Sequence, residues 1–224
     1  MWNNLKKRCN SKNLYMTKKK VILTGFLPFG GYKFNPTEDS TIYFDNIGIV
    51  SGVQVIGLIL PCTYFGAFQV LSKVMNKEQP DAVISTGLSS SVKGIRLETT
   101  FHNIMNGKYP DADGMKPNGL PLWDKPYAKE YLMATADNIH LANILKSNGI
   151  PTEISIDADG FICNSLGYLT TKKILKNSFF SVKNIFIHVP WTDDYKSKIN
   201  LEEGKIFLAK DKLYKGIELL IKNI

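Results

Sequence analysis

The sequence predicts an α/β protein, a single three-layer α/β/α domain with a mostly parallel, twisted central sheet. Three observations carry that prediction. Short apolar runs of strand length alternate along the chain with segments whose apolar residues recur at helical spacing, the pattern of parallel strands joined by crossover helices. At 224 residues and 44% hydrophobic content, the chain can bury one substantial core, and nothing in it demands a second. Several strand candidates also end on loops rich in Gly, Pro or Ser, as expected where an open α/β sheet presents its binding edge.

The elements follow in order. Lys20 to Thr24 is a strand that runs into Gly25-Phe26-Leu27-Pro28-Phe29-Gly30-Gly31. Val53 to Leu60 is the next, ending on Pro61-Cys62-Thr63-Tyr64, and Ala67, Val70, Leu71, Val74 and Met75 mark a helix behind it. Ala82 to Thr86 is a third strand that exits into Gly87-Leu88-Ser89-Ser90-Ser91, and Ile95 to Ile104 reads as a longer fourth. Tyr131, Leu132, Ala134, Ile139, Leu141, Ile144 and Leu145 predict a helix ending before Asn148-Gly149.

Thr152 to Ile156 alternates polar and apolar residues as a short strand does, and Asp157 to Gly160 supplies turn chemistry. A helix follows on Leu166, Leu169, Ile174 and Leu175, with Lys172, Lys173 and Lys176 where cations suit its dipole. Asn184 to Val189 is the last strand and Ile206 to Ile221 the last helix. Right-handed crossovers would gather the strand-exit loops at one edge, including 157–163 and 188–191.

The net charge of +8 looks like a nucleic-acid footprint until it is located. Lys6, Lys7, Arg8, Lys12, Lys18, Lys19 and Lys20 precede the first acid, Glu38. Removing those seven from the 28 Lys and Arg leaves a body almost balanced against its 20 Asp and Glu. Residues 1–18 therefore read as a basic extension and 19–224 as the folded domain, with Met16 a second candidate start. No apolar run approaches a membrane span, and the N-terminus lacks the apolar core of a secretory signal. Three widely spaced cysteines without a CxxC pair are expected to be reduced thiols. The chain reads as cytoplasmic, with neither a membrane nor a nucleic acid as partner.

The candidate chemistry lies in Ala158-Asp159-Gly160-Phe161-Ile162-Cys163-Asn164-Ser165 and in Ile187-His188-Val189-Pro190. A thiol becomes an effective nucleophile when a histidine and a helix N-terminus stabilise its thiolate, and Cys163 sits at a predicted helix mouth. His188 closes the strand that follows. Cys62 closes an apolar strand and fits a buried structural thiol better, while His102 and His140 have no nucleophile nearby in sequence. A third group must hold the imidazole in the right tautomer, and Glu98, inside an otherwise strand-like segment, is the candidate. The glycine loops carry no GxGxxG and no Walker ending, so close approach of a small ligand explains them better than phosphate binding. Phe26 and Phe29 are either core or an apolar wall for a small flat substrate.

These motifs, in this order, resemble the pyrrolidone carboxyl peptidases, also called pyroglutamyl peptidases type I. Gly25-Phe26-Leu27-Pro28-Phe29-Gly30-Gly31 with Asn35-Pro36 is similar to that family's GF-x-PFGG and NP signature, and Leu60-Pro61-Cys62-Thr63 to its LPV(S/T) strand end. Gly87-Leu88, Asn103 with Pro110-Asp111 and Gly114, Cys163-Asn164 and Phe186-Ile187-His188-Val189-Pro190 complete the likeness over residues 20–222. The resemblance implies a cysteine peptidase that removes an N-terminal pyroglutamyl residue without metal or cofactor and assembles as a tetramer. It implies a triad of Glu98, Cys163 and His188. Phe26, Phe29, Asn35, Thr63, Leu88, Lys108, Tyr109, Phe161 and Ile162 then stand at substrate-binding positions.

The chain also departs from the family pattern. Thr99 and Lys108 stand where arginines are usual, Tyr109 replaces a smaller aliphatic, Ala112 an asparagine, and Asp159-Gly160 a Gly-Thr. A lysine does not reproduce a planar two-pronged donor, and Asp159 would oppose a thiolate if it pointed inward. The alternative is thus a weakened or inactive member that still binds pyroglutamyl or related peptides.

Overall fold

The computed structural model describes residues 18–176, 181–199 and 206–224. Residues 1–17 of the basic extension lie outside the described residues. In chain order the elements are β1 (Lys20–Phe26), α1 (Pro36–Ile47), β2 (Ile49–Val50), β3 (Val53–Leu60), α2 (Gly66–Glu78), β4 (Ala82–Leu88), β5 (Ile95–Glu98), β6 (Thr100–His102), β7 (Met105–Asn106), β8 (Asn118–Leu120), β9 (Tyr131–Met133), α3 (Asn138–Ser147), β10 (Thr152–Ser155), α4 (Ile162–Lys176), β11 (Lys183–Val189) and α5 (Lys210–Asn223). Seven strands form one sheet in the order β10-β5-β11-β4-β1-β3-β2.

Strand periodicity sorts the core into two halves. Val21 and Leu23, Ala82 and Ile84, and Ile185 and Ile187 face one side, where Phe44 of α1, Leu141 and Leu145 of α3, and Leu213 and Ile217 of α5 cover them. Ile22, Val83 and Phe186 face the other, against Leu71 and Met75 of α2 and Leu166 and Ile174 of α4. The strands of the central stack are apolar on both faces because helices cover both. This is the three-layer α/β/α arrangement that the alternating sequence pattern predicts.

Four expectations need correction. The single strand over Ile95 to Ile104 breaks at Thr99, whose N–H and hydroxyl both bond to the Ser155 carbonyl, and β6 leaves to pair antiparallel with β9. That pairing also takes Tyr131–Met133 out of the expected helix. The helix begins only at Asn138, with the Asp137 carboxylate accepting from the His140 N–H. The last helix starts at Lys210 rather than Ile206, because Leu208 instead bridges to Thr192. Finally, α1 was not expected from apolar periodicity. Its signal is the cap, with Asn35 accepting from Thr37 N–H, Pro36 next to it, and Glu38 and Asp39 in the first turn.

Strand direction matters most for the site. β1, β3, β4 and β11 run parallel, but β5 pairs antiparallel with β11 and parallel with β10. β10 therefore ends at Ser155, level with Glu98 and Phe186, running away from the edge where β4 and β11 exit. The expectation that 157–163 leaves a strand at that same edge is wrong. The segment 156–161 instead folds back toward the edge, through Asp159 at φ 60°, and delivers the start of α4 there.

Candidate active site

His188 and Glu98 meet because of sheet register. Phe186 pairs with Glu98 and His188 with Arg96, so Glu98 is the diagonal neighbour of His188 on the adjacent strand. Both point to the face covered by α4, where a glutamate is long enough to span the diagonal. The carboxylate accepts from Nδ1 of His188 at 2.7 Å, with Glu98 fully buried and the imidazole nearly so. The Phe186 ring, 5.0 Å from the imidazole, closes one side. Asn138, at the start of α3, donates to the Glu98 carbonyl and fixes the strand end.

Cys163 enters from above this face in the first turn of α4. A Cβ placed on Gly87 of β4 would come within 2.9 Å of its sulfur and 2.8 Å of the Phe186 ring, so the absence of a side chain there makes room for the thiol. Gly87 pairs with His188 across the β4–β11 ladder, which puts sulfur and imidazole on the same level of the sheet. Asn164, fully buried, locks the helix start: its amide donates to the His102 and Ile104 carbonyls, and its oxygen accepts from the His102 N–H. Ser165 N–H bonds to the Phe161 carbonyl, so the amides of Ile162, Cys163 and Asn164 are the first-turn donors that a helix cannot satisfy internally.

The electrostatics follow from this packing. Burial alone pulls the His188 pKa down, but attraction to Cys163, hydrogen bonding to Cys163 and Glu98, and the Glu98 charge outweigh it and push it up to about 10.

A cavity of about 1020 Å³ opens on the sulfur. Phe26, Phe29, Phe161, Ile162 and Leu88 line it, together with Lys108, Tyr109 and Asn35. Phe161 stacks between Phe29, at 5.8 Å, and Tyr64, at 5.5 Å. Asn35 touches the cavity with its side chain already committed, donating to the Leu27 carbonyl and accepting from Thr37. Thr63 does not reach the cavity wall. Its N–H bonds to the Pro61 carbonyl and its hydroxyl lies against Gly66 at the start of α2, a turn role.

Asp159 likewise stays out. Its exposed side chain lines a separate surface depression with Glu130, Asp157 and His102, so it does not bring a charge into the cavity. Tyr32, Phe34, Ser90 and Trp191 line the cavity without having been singled out as site residues. Their signal was position: each lies in a loop that leaves a parallel strand at the functional edge. Among the described residues no cluster of three or more His, Cys, Asp or Glu is arranged to hold a metal ion, and no helix is long and apolar enough to cross a membrane.

By class, the chain is a three-layer α/β domain with a thiol at a helix mouth, at the carboxyl edge of its parallel strands. Residues 19–223 match the family model described as pyroglutamyl peptidase, and the chain belongs to that family. It is 31% identical to the pyrrolidone-carboxylate peptidase of Thermococcus kodakarensis over 92% of this chain and 95% of that protein. It is 36% identical to that of Thermococcus litoralis over 79% and 78%. Among solved structures, pyrrolidone carboxyl peptidase from T. litoralis superposes with a TM-score of 0.82 at 32% identity, covering 91% of this chain and 92% of that one. The enzyme from Fervidobacterium islandicum AW-1 gives 0.84 at 26% identity, covering 92% and 98%.

Proposed function

We propose that this chain removes an N-terminal pyroglutamyl residue from peptides, using Cys163 as nucleophile, His188 as acid and base, and Glu98 to orient the imidazole. The observation that carries the reading is the buried Glu98–His188 contact at 2.7 Å, at the sheet level where Gly87 admits the Cys163 sulfur. The sulfur attacks the carbonyl carbon that joins the lactam ring to the next residue, forming the C–S bond. Negative charge moves to the carbonyl oxygen, where first-turn amides of α4 can meet it. His188 gives its proton to the leaving nitrogen, the C–N bond breaks, and a thioester remains. Water then attacks the thioester while His188 takes its proton, the C–S bond breaks, and free pyroglutamate leaves.

Glu98 keeps the Nδ1 proton on its own side, so the other ring nitrogen carries the traffic. The lactam is neutral, which suits Phe26, Phe29, Phe161 and Ile162, whereas a charged free N-terminus would lose its hydration against those rings. The reading extends to a cytoplasmic homotetramer that needs no metal or cofactor, as the family resemblance implies. Two free thiols among the described residues, Cys62 and Cys163, suit a reducing compartment. Hydrolysis of a fluorogenic pyroglutamyl amide tests the proposal. Wild type turns it over and Cys163→Ser is at least about 10⁴-fold slower; equal rates would remove Cys163 from the mechanism.

A further inference from the structure

The cavity is far larger than the group it is proposed to hold. A pyroglutamyl ring with its carbonyl displaces roughly five waters, on the order of 150 Å³ at about 30 Å³ each, against a cavity of about 1020 Å³. The remaining space has its own walls. Phe26, Phe29 and Phe161 belong to the core under α2 and α4, whereas Tyr32, Phe34 and Trp191 belong to a second aromatic stack with Tyr195. In that stack Tyr32 packs edge-on to Trp191 at 5.0 Å, Trp191 meets Tyr195 at 5.3 Å, and Phe34 meets Tyr195 at 5.8 Å. The Tyr195 hydroxyl donates to the Asp39 carboxylate, which anchors the stack to α1.

Trp191 is almost fully buried, while Tyr32 and Phe34 keep 41% and 38% of their surface open. The buried ring backs two half-open ones, and the Lys198 ammonium lies 5.7 Å from the centre of the Phe34 ring.

The charge of the cavity is equally one-sided. Lys108 is its single charged wall residue among the described residues, and no Asp or Glu lines it. Lys108 makes no ion pair among the described residues, and its ammonium lies 5.4 Å from the ring of Tyr109, itself 60% exposed at the mouth.

We propose that this outer half is the subsite for the leaving peptide, and that it selects an aromatic residue after the scissile bond together with a nearby carboxylate. Tyr32 and Phe34 take the aromatic side chain, and Lys108 takes the carboxylate, so the preferred substrates are short pyroglutamyl peptides ending in a free acid. A lysine suffices for this because it acts as a point charge on a flexible stem, reaching a carboxylate that a longer or shorter peptide presents at different depths. The inference rests on the pyroglutamyl reading above and adds the chemistry of the other product.

Four peptides test it: pyroglutamyl-Phe as free acid and as amide, pyroglutamyl-Ala amide and pyroglutamyl-Lys amide. In wild type kcat/KM favours the Phe amide over the Ala amide by about fivefold, the scale of one good aromatic contact. It favours the free acid over the amide by about threefold at low salt, fading at high salt as an exposed ion pair does. The Lys amide is the poorest. Tyr32→Ala and Phe34→Ala bring the first ratio toward one, and Lys108→Met brings the second to one; ratios cancel any loss of folded protein. Flat ratios in wild type, or ratios that survive these substitutions, overturn the subsite. The same ratios read as Kd on Cys163→Ala separate the two claims, because selective binding without turnover by wild type overturns the catalytic reading and leaves this one standing.

Discussion

Two thiols open on the same cavity, one from the end of β3 and one from the start of α4, and their surroundings differ. Cys62 is buried where the strand turns into Pro61-Cys62-Thr63, and its sulfur donates to the Leu27 carbonyl at 3.4 Å. Burial, with a smaller contribution from the charge of Cys163, pushes its thiol up to about 12. Cys163 stands in the first turn of a helix, half-open to the cavity and level with the buried His188–Glu98 pair. Facing a cavity therefore does not set a thiol's surroundings: Cys62 closes an apolar strand, whereas Cys163 has first-turn amides and the His188 imidazole beside it.

That contrast can be broken most sharply by alkylation. Brief iodoacetamide treatment near pH 7, followed by peptide mapping, should label Cys163 and leave Cys62 unmodified; preferential labelling of Cys62 would sink the comparison. In turnover the largest loss expected is for Cys163→Ala or His188→Ala, at least about 10⁴-fold in kcat, with the melting profile nearly unchanged for Cys163→Ala. Next is Glu98→Gln, which removes the charge and no longer fixes the imidazole tautomer, at up to about 10⁴-fold.

Gly87→Ala places a Cβ within 2.9 Å of the Cys163 sulfur and 2.8 Å of Phe186. Moving the sulfur by even a fraction of an ångström should lower kcat by about 10–100-fold, with less change in KM. A variant with normal kcat would mean that the sulfur is not held where the sheet register puts it.

The pH dependence has a definite sign. The folded-state pKa of His188 is raised from 6.5 to about 10, so the pairing contributes its full stability below about pH 6.5 and loses it as pH climbs toward 10. Thermal melts of wild type against His188→Gln should show an advantage that shrinks over that interval, and an advantage growing with pH would contradict the charged imidazole. Smallest is Cys62→Ala. Deleting one buried sulfur costs about 1 kcal/mol in denaturant unfolding and changes kcat less than about threefold.

Much of this site was legible before any coordinates, and for identifiable reasons. The Cys163-Asn164 and His188-Val189-Pro190 motifs are local, and a helix mouth or strand end can be read from its neighbours. Asn164 shows the limit of such reading. It follows Cys163 in sequence, but its three hydrogen bonds go to residues 102 and 104, some sixty positions away. Tyr32 and Phe34 were passed over because loop aromatics carry no periodicity, and only folding sets them against Trp191 and Tyr195. Thr63 and Asp159 lie outside the cavity lining, since proximity to a motif along the chain does not fix the direction of a side chain.

The sequence by itself determined the layered α/β class, the apolar strands and the family likeness, and it nominated the thiol, imidazole and carboxylate. Each of these depends on residue type and short spacing, which the chain carries wherever it goes. Tertiary structure alone decided that β5 and β10 run against β11, that the loop over 156–161 must double back to present Cys163, and which residues complete the cavity. Those outcomes depend on which strands pair and in what register, and a slip of one residue would turn Glu98 to the opposite face of the sheet from His188. The catalytic contact proposed here is thus a property of the β5–β11 register, written in two segments ninety residues apart and realised only when they pair.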